Sequence, residues 1–161
     1  MKLSYLKGLS FGLTSGIITT LGMMVGLNSG THSTLAVVGG IITIAIADAF
    51  SDALGIHISE ESSNTHTHRE VWESTICTFI AKFIFALTFL PPIFLAPLNH
   101  AVWISIAWGL SVLTLISYWM AKDQKENPIS VIGEHVGIAV AVIIITHLAG
   151  DWIGATFGSI V

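Results

Sequence analysis

Asp48 and Asp52 stand one helical turn apart in a run otherwise rich in alanine, isoleucine, leucine and phenylalanine. A carboxylate in hydrocarbon costs about 2.5 kcal/mol or more, so a pair of them implies an ion pathway, a proton relay or the counter-charge of a ligand. At about 100° per residue the two side chains lie about 40° apart, with Ile41, Ile44, Gly55 and Ser59 near the same direction. The stripe is acidic, small and polar.

Ser15, Thr19 and Met23 recur every fourth residue in the first apolar stretch. With boundaries near Leu9 and His57, a rise of about 1.5 Å per residue puts Ser15 and Thr19 about 9 and 15 Å deep, and Asp52 and Asp48 about 7 and 13 Å deep. Hard oxygen ligands with one thioether suit a divalent metal such as Fe²⁺ or Mn²⁺ in passage. The alternative is that the aspartates are protonated or paired with hydroxyls and hold helices together. Interhelical polar contacts average only about 0.6 kcal/mol, a poor return for burying two acids.

A second set of candidates gathers at one edge of the apolar stretches: His57, Glu60, Glu61, His66, His68, Glu70 and Glu73. His57 and Glu61 point nearly opposite to the aspartate stripe if the helix continues, which makes them a separate mouth. A third set lies on the last stretch, with Glu134 and His135 near its start and the pair His147 and Asp151 near its end. A carboxylate-oriented imidazole relays protons or holds a departing cation; an interfacial pair with one wetted partner reads equally well. Trp103, Trp108, Trp119 and Trp152 fit interfacial anchoring or packing. There is no nucleophile elbow, phosphate loop or Cys-x-x-Cys, and His57-x-x-x-Glu61 is not a metalloprotease signature, so an enzyme is not expected.

The elements that carry these residues follow from composition. Of 161 residues only 10% are charged and 53% are hydrophobic, and mean hydropathy is +0.81. This is an all-α membrane protein with one domain over residues 1–161 and no resident cofactor expected. The net charge of −4 offers no basic face for nucleic acid. Cys77, the lone cysteine, excludes an internal disulfide and reads as a small buried apolar residue. Five stretches are long enough for a bilayer core, at about 9–27, 33–57, 71–93, 101–120 and 129–157. Lys2, Lys7, Arg69, Lys122 and Lys125 fall at one end of the predicted helices. Lys82 is expected to snorkel back to that end. The opposite loops contain no lysine or arginine, which puts the N-terminus in the cytoplasm and the C-terminus outside or in a lumen.

Glycine recurs every fourth residue as Gly8-Gly12-Gly16 and Gly22-Gly26-Gly30 in the first helix, and again as Gly133-Gly137 and Gly150-Gly154-Gly158 in the fifth. Such ladders let backbones approach closely, mostly within the chain, with a dimer seam as a use for one of them. Pro91, Pro92 and Pro97 must end or break helix 3. Asn127 and Pro128 start helix 5 as cap and first-turn residue.

Phe11 to Thr20 is similar to the opening helix of the vacuolar iron transporter family, and Ser51-Asp52-Ala53-Leu54-Gly55-Ile56-His57-Ile58-Ser59 is similar to its Ser-Met-Ala-x-Gly-Glu-Tyr-x-Ser segment. Pro92, Pro97 and Glu126-Asn127-Pro128 also match in order and spacing. The resemblance covers nearly the whole chain. It implies a dimeric five-helix transporter in the bilayer that moves Fe²⁺ or Mn²⁺ out of the cytosol, by proton antiport in several members. Departures stand beside the matches. Ser15 replaces an aspartate, Asp52 a methionine and Ile56 a glutamate, and the glutamate-rich region between helices 2 and 3 is reduced to a short segment. The expected metal site is Asp48 and Asp52 with Ser15, Thr19 and Met23, and His57, Glu60, Glu61 and Glu73 gather metal at the cytoplasmic mouth. Protonation of the aspartates would couple release to a proton gradient. The rival expectation is a non-transporting metal-binding or assembly protein of the membrane. It draws support from the outer half of helix 2, where only Thr43, Ser33 and Thr34 are polar.

Overall fold

The computed structural model describes residues 3–158, so Lys2 lies outside the described residues. Five helices in it are long and apolar enough to cross a membrane. The first is α1 (Leu3–Thr31). The second begins as α2 (Thr34–Thr43), loosens into one π-helical turn over Ile44–Asp48, and resumes as α3 (Ala49–Ser62). The third is α4 (His68–Leu87) followed by the short α5 (Leu90–Leu95). The fourth is α6 (Leu98–Gln124) and the fifth α7 (Pro128–Phe157). Each predicted span is present and most run longer, because their polar ends continue the helix past the apolar stretch.

The chain punctuates these helices as its residues dictate. Thr67 and Glu70 form a reciprocal capping box at the start of α4, which satisfies two otherwise orphaned amides. Asn127 Oδ1 accepts from the amide of Ile129 at 3.0 Å, and Pro128 opens α7. The predicted break in the third span falls at Thr88–Phe89, one turn ahead of the prolines, where bonds to Phe85 and Ala86 tighten the last turn. Pro91 lacks the amide that would bond the Leu87 carbonyl, so the break begins there.

α1 is the central element and packs on α4, α7, α6 and α2. Ile17, Leu21, Met24 and Val25 put its apolar face into a core completed by Val37, Ile41, Phe85, Phe89, Ile93, Ala101, Val102, Leu113 and Ala139. Its two glycine ladders are both consumed within the chain. Gly8, Gly12 and Gly16 lie against Ser74, Thr78 and Lys82 of α4, and Gly22, Gly26 and Gly30 lie against Val142, Thr146 and Gly150 of α7. A dimer seam on an α1 ladder is therefore ruled out; those faces are covered. The open glycines are Gly39 and Gly55 on the second helix and Gly133 and Gly137 on α7.

Candidate functional site: a buried lysine between two aspartates

Three helix midpoints meet at one cluster. Asp48 is the middle residue of the second helix, Ser15 lies within a turn of the middle of α1, and Lys82 is central in the third. Lys82 is wholly buried, with its Nζ 2.6 Å from Asp48 Oδ2 and ion-paired to Asp52 Oδ2 as well. It also donates to Ser15 Oγ at 2.9 Å, and the Ser15 hydroxyl donates to Asp52 Oδ2 at 2.5 Å. An ammonium has three hydrogens to give; Ser15 and Asp52 each take one, while Asp48 Oδ2 is held by opposite charge alone, buried without a hydrogen bond. Two carboxylates against one ammonium leave a single net negative charge if all are ionised.

This overturns the expectation that Lys82 snorkels to the basic end. Its stem passes across Gly16, where a Cβ would stand 3.3 Å from Lys82 Cγ; glycine leaves room for the lysine to turn inward. The paired carboxylates then compensate the desolvation that would otherwise drive the ammonium to the interface. Opposite charge at matching depth, facing a glycine, is the signal by which the sequence could have shown it.

The π-helical turn ends at Asp48. Such turns insert one extra residue and re-aim the side chains beside them. The carboxylates keep fractional exposures of 30% for Asp48 and 19% for Asp52, so the cluster is closed around the lysine and partly open at the acids. Gly55 and Ser59, expected on the same stripe, face outward.

Of the three α1 ligands expected, only Ser15 reaches the aspartates. Thr19 Oγ1 donates to the Ser15 carbonyl at 2.9 Å, and Met23 packs its sulfur on Gly40, in the half of the second helix away from α3. A helix ladder taken every fourth residue turns by about 40° per step. Met23 has thus rotated by about 80° from the Ser15 direction.

The expected mouth does not assemble as one site. His57 bonds Thr75 Oγ1 through Nδ1 at 3.0 Å and meets Trp72 edge-on, so it faces α4 and does not point away from it. Glu60 pairs with His66 at 2.9 Å and with Lys7 at 3.2 Å. Glu73 accepts from Ser4 Oγ at 3.0 Å and from Arg69 at 3.0 Å. Glu61 is exposed. Among the described residues no three His, Cys, Asp or Glu side chains converge as a metal site would require. Cys77 is half-buried and faces the Tyr5 carbonyl in a groove between α1 and α4, which revises the fully buried reading.

A cavity of about 530 Å³ at the basic end is lined by Lys7, Ser10, Glu60, Asp123 and His135, and it reaches Thr14 and Ile56. Those two residues adjoin Ser15 and stand one turn from Asp52. His135 shares a hydrogen bond with Ser117 at 2.8 Å. Glu134 is exposed and accepts from Ser130.

At the opposite end His147 and Asp151 are joined by a residue the sequence reading missed. Ser29, only 7% exposed, shares a hydrogen bond with His147 Nδ1 at 2.9 Å and donates to Asp151. A hydroxyl has one proton to give, so the imidazole is the donor to Ser29 Oγ. The aspartate contacts the serine directly, so this is not a nucleophilic triad, in which histidine stands between the two. No family model matches the chain, and no curated protein matches it.

Proposed function

We propose that this chain is an integral membrane transporter that moves a divalent transition-metal cation, Fe²⁺ or Mn²⁺, out of the cytosol in exchange for protons. The observation that carries the reading is Lys82, buried between Asp48 and Asp52 at the middle of three helices. An ammonium so placed fills the position of a cation. An incoming divalent ion would take the two carboxylates and the Ser15 oxygen, while Lys82 gives up a proton. Two carboxylates, one dication and a neutral amine carry no net charge, which a low-dielectric interior favours over any charged combination. With only two acidic ligands the ion is held loosely, as a transported ion must be if it is to leave.

The approach belongs to the same reading. The basic end is cytoplasmic by its lysines and arginines, and the cavity at that end, lined by the paired Lys7 and Glu60, reaches to within a turn of Asp52. The homodimer of the resemblance also belongs here. Its seam would use the open small-residue face of the second helix, where Gly39, Thr43, Ala47, Ser51, Gly55 and Ser59 all face outward, and would cover the exposed side of Asp48.

A second reading has one observation in its favour: Lys82 is already bonded to Ser15 and Asp52 and paired with Asp48, as in a purely structural clasp. Flux of Fe²⁺, Mn²⁺, Co²⁺ and Zn²⁺ into proteoliposomes separates the two. Exchange predicts that Asp48→Asn and Asp52→Asn each lower Mn²⁺ or Fe²⁺ flux at least about tenfold, the equivalent of about 1.4 kcal/mol. Equal flux in all three proteins removes the aspartates from the mechanism, and no flux of any metal supports the clasp.

A further inference from the structure

The second helix offers almost no polar atoms beyond Asp48, yet α1 and α6 do. Among the described residues, three uncharged side-chain oxygens are sealed from solvent without a protein hydrogen-bond partner: Thr20 Oγ1, Ser105 Oγ and Asn28 Oδ1. Orphaned polar atoms of this kind are rare in native interiors, and bound water is the usual partner. Their positions form a series. Gly16 lies against Lys82, and Thr20 is one turn farther along α1, about 6 Å away. Gly109 of the antiparallel α6 lies against Leu21, which sets Ser105, one turn earlier in α6, beside the stretch that follows Leu21. Asn28 is two turns beyond Thr20, about 12 Å. Beside it, Ser29 joins His147 and Asp151.

We infer that waters bound at Thr20, Ser105 and Asn28 form a hydrated route from the Asp48–Asp52–Lys82 cluster to Ser29, His147 and Asp151. Successive levels are offset by about 5–7 Å along the helix axis, and Asn28 is turned by about 80° from Thr20 around α1, so each step takes at least one or two hydrogen-bonded waters. The route ends in a cavity of about 400 Å³ that Asn28 lines with Asn99, Trp103 and His147. It supplies the polar path to the far end that the second helix lacks. Its use as a proton route rests on the exchange reading; its hydration does not.

The test uses the full chain in lipid nanodiscs, beside the near-isosteric double variant Thr20→Val, Ser105→Ala. Radiolytic hydroxyl labelling with mass spectrometry marks side chains that touch bound water. Met24, wholly buried in the same segment, is expected to label in the wild type and to fall about fivefold in the variant as its water partners are lost. An unlabelled Met24, or equal labelling in both proteins, overturns the route. In proteoliposomes, Mn²⁺-driven proton counterflow is expected to drop about tenfold in the variant while Mn²⁺ binding is retained. Wild-type counterflow in the variant also overturns the route. A wild type that moves neither metal nor protons overturns the exchange reading instead, and the labelling then decides the hydration alone.

Discussion

Lys82→Met is expected to destabilise the protein by about 3–5 kcal/mol, the range seen when one partner of a buried ion pair is removed. Methionine fills much of the same volume, so the loss is electrostatic. Asp48 and Asp52 would be left one turn apart with only the Ser15 hydroxyl on Asp52, two like charges in a largely apolar surrounding with no counter-ion. Removing the whole set of charges should reverse most of the damage. The triple variant Lys82→Met, Asp48→Asn, Asp52→Asn leaves no buried charge, and such neutral replacements are often close to wild type in stability. Thermal and denaturant unfolding in detergent compares the three proteins. A Lys82→Met protein as stable as wild type would mean that the ammonium does not hold the cluster together.

Gly150→Ala is the second large effect expected, and it arises from backbone contact. A methyl group there would run into the carbonyl oxygen of Gly26, with Ser29 Cβ 2.9 Å away. A carbonyl cannot rotate aside as a side chain can, so α1 and α7 must separate, at a cost of about 1–3 kcal/mol. The same displacement would pull Ser29 from His147 and Asp151. Gly137→Ala is the matched control, because nothing stands within 4 Å of its added carbon. It should be neutral or gain up to about 1 kcal/mol of helix propensity. If both variants unfolded alike, the glycine contact would not be what holds α7 to α1.

Much of this architecture was legible from residue types alone. Five long apolar runs gave five helices, Asn127-Pro128 marked the start of α7, and glycine every fourth residue marked close packing. Asp48, Asp52 and Ser15 were legible as one cluster because depth along a helix follows from residue count. Direction around a helix was less so. Thr19 and Met23 share the depth of the acids or the ladder of Ser15 but not its heading. The mouth carboxylates were legible as a group only in sequence; in space Glu60 is drawn to Lys7, Glu73 to Arg69 and Ser4, and Glu61 is exposed. Lys82 was misread because a lysine near a helix end and a lysine at its middle differ by only a few turns. The choice between snorkelling and inward pairing depends on which helix faces it. The Ser29 partnership with His147 and Asp151 spans more than a hundred residues, and no local pattern announces such a pairing.

The central claim is that Lys82 surrenders a proton when a metal occupies Asp48 and Asp52. Arginine separates charge from proton release, because a guanidinium keeps its proton where an ammonium can lose it. The decisive measurement is simultaneous recording of Mn²⁺ uptake and internal pH in proteoliposomes containing wild-type or Lys82→Arg protein. Exchange predicts that wild-type Mn²⁺ uptake drives protons the opposite way, and that Lys82→Arg remains folded while losing both fluxes together. Wild-type Mn²⁺ uptake without proton movement, or undiminished counterflow in Lys82→Arg, would contradict it.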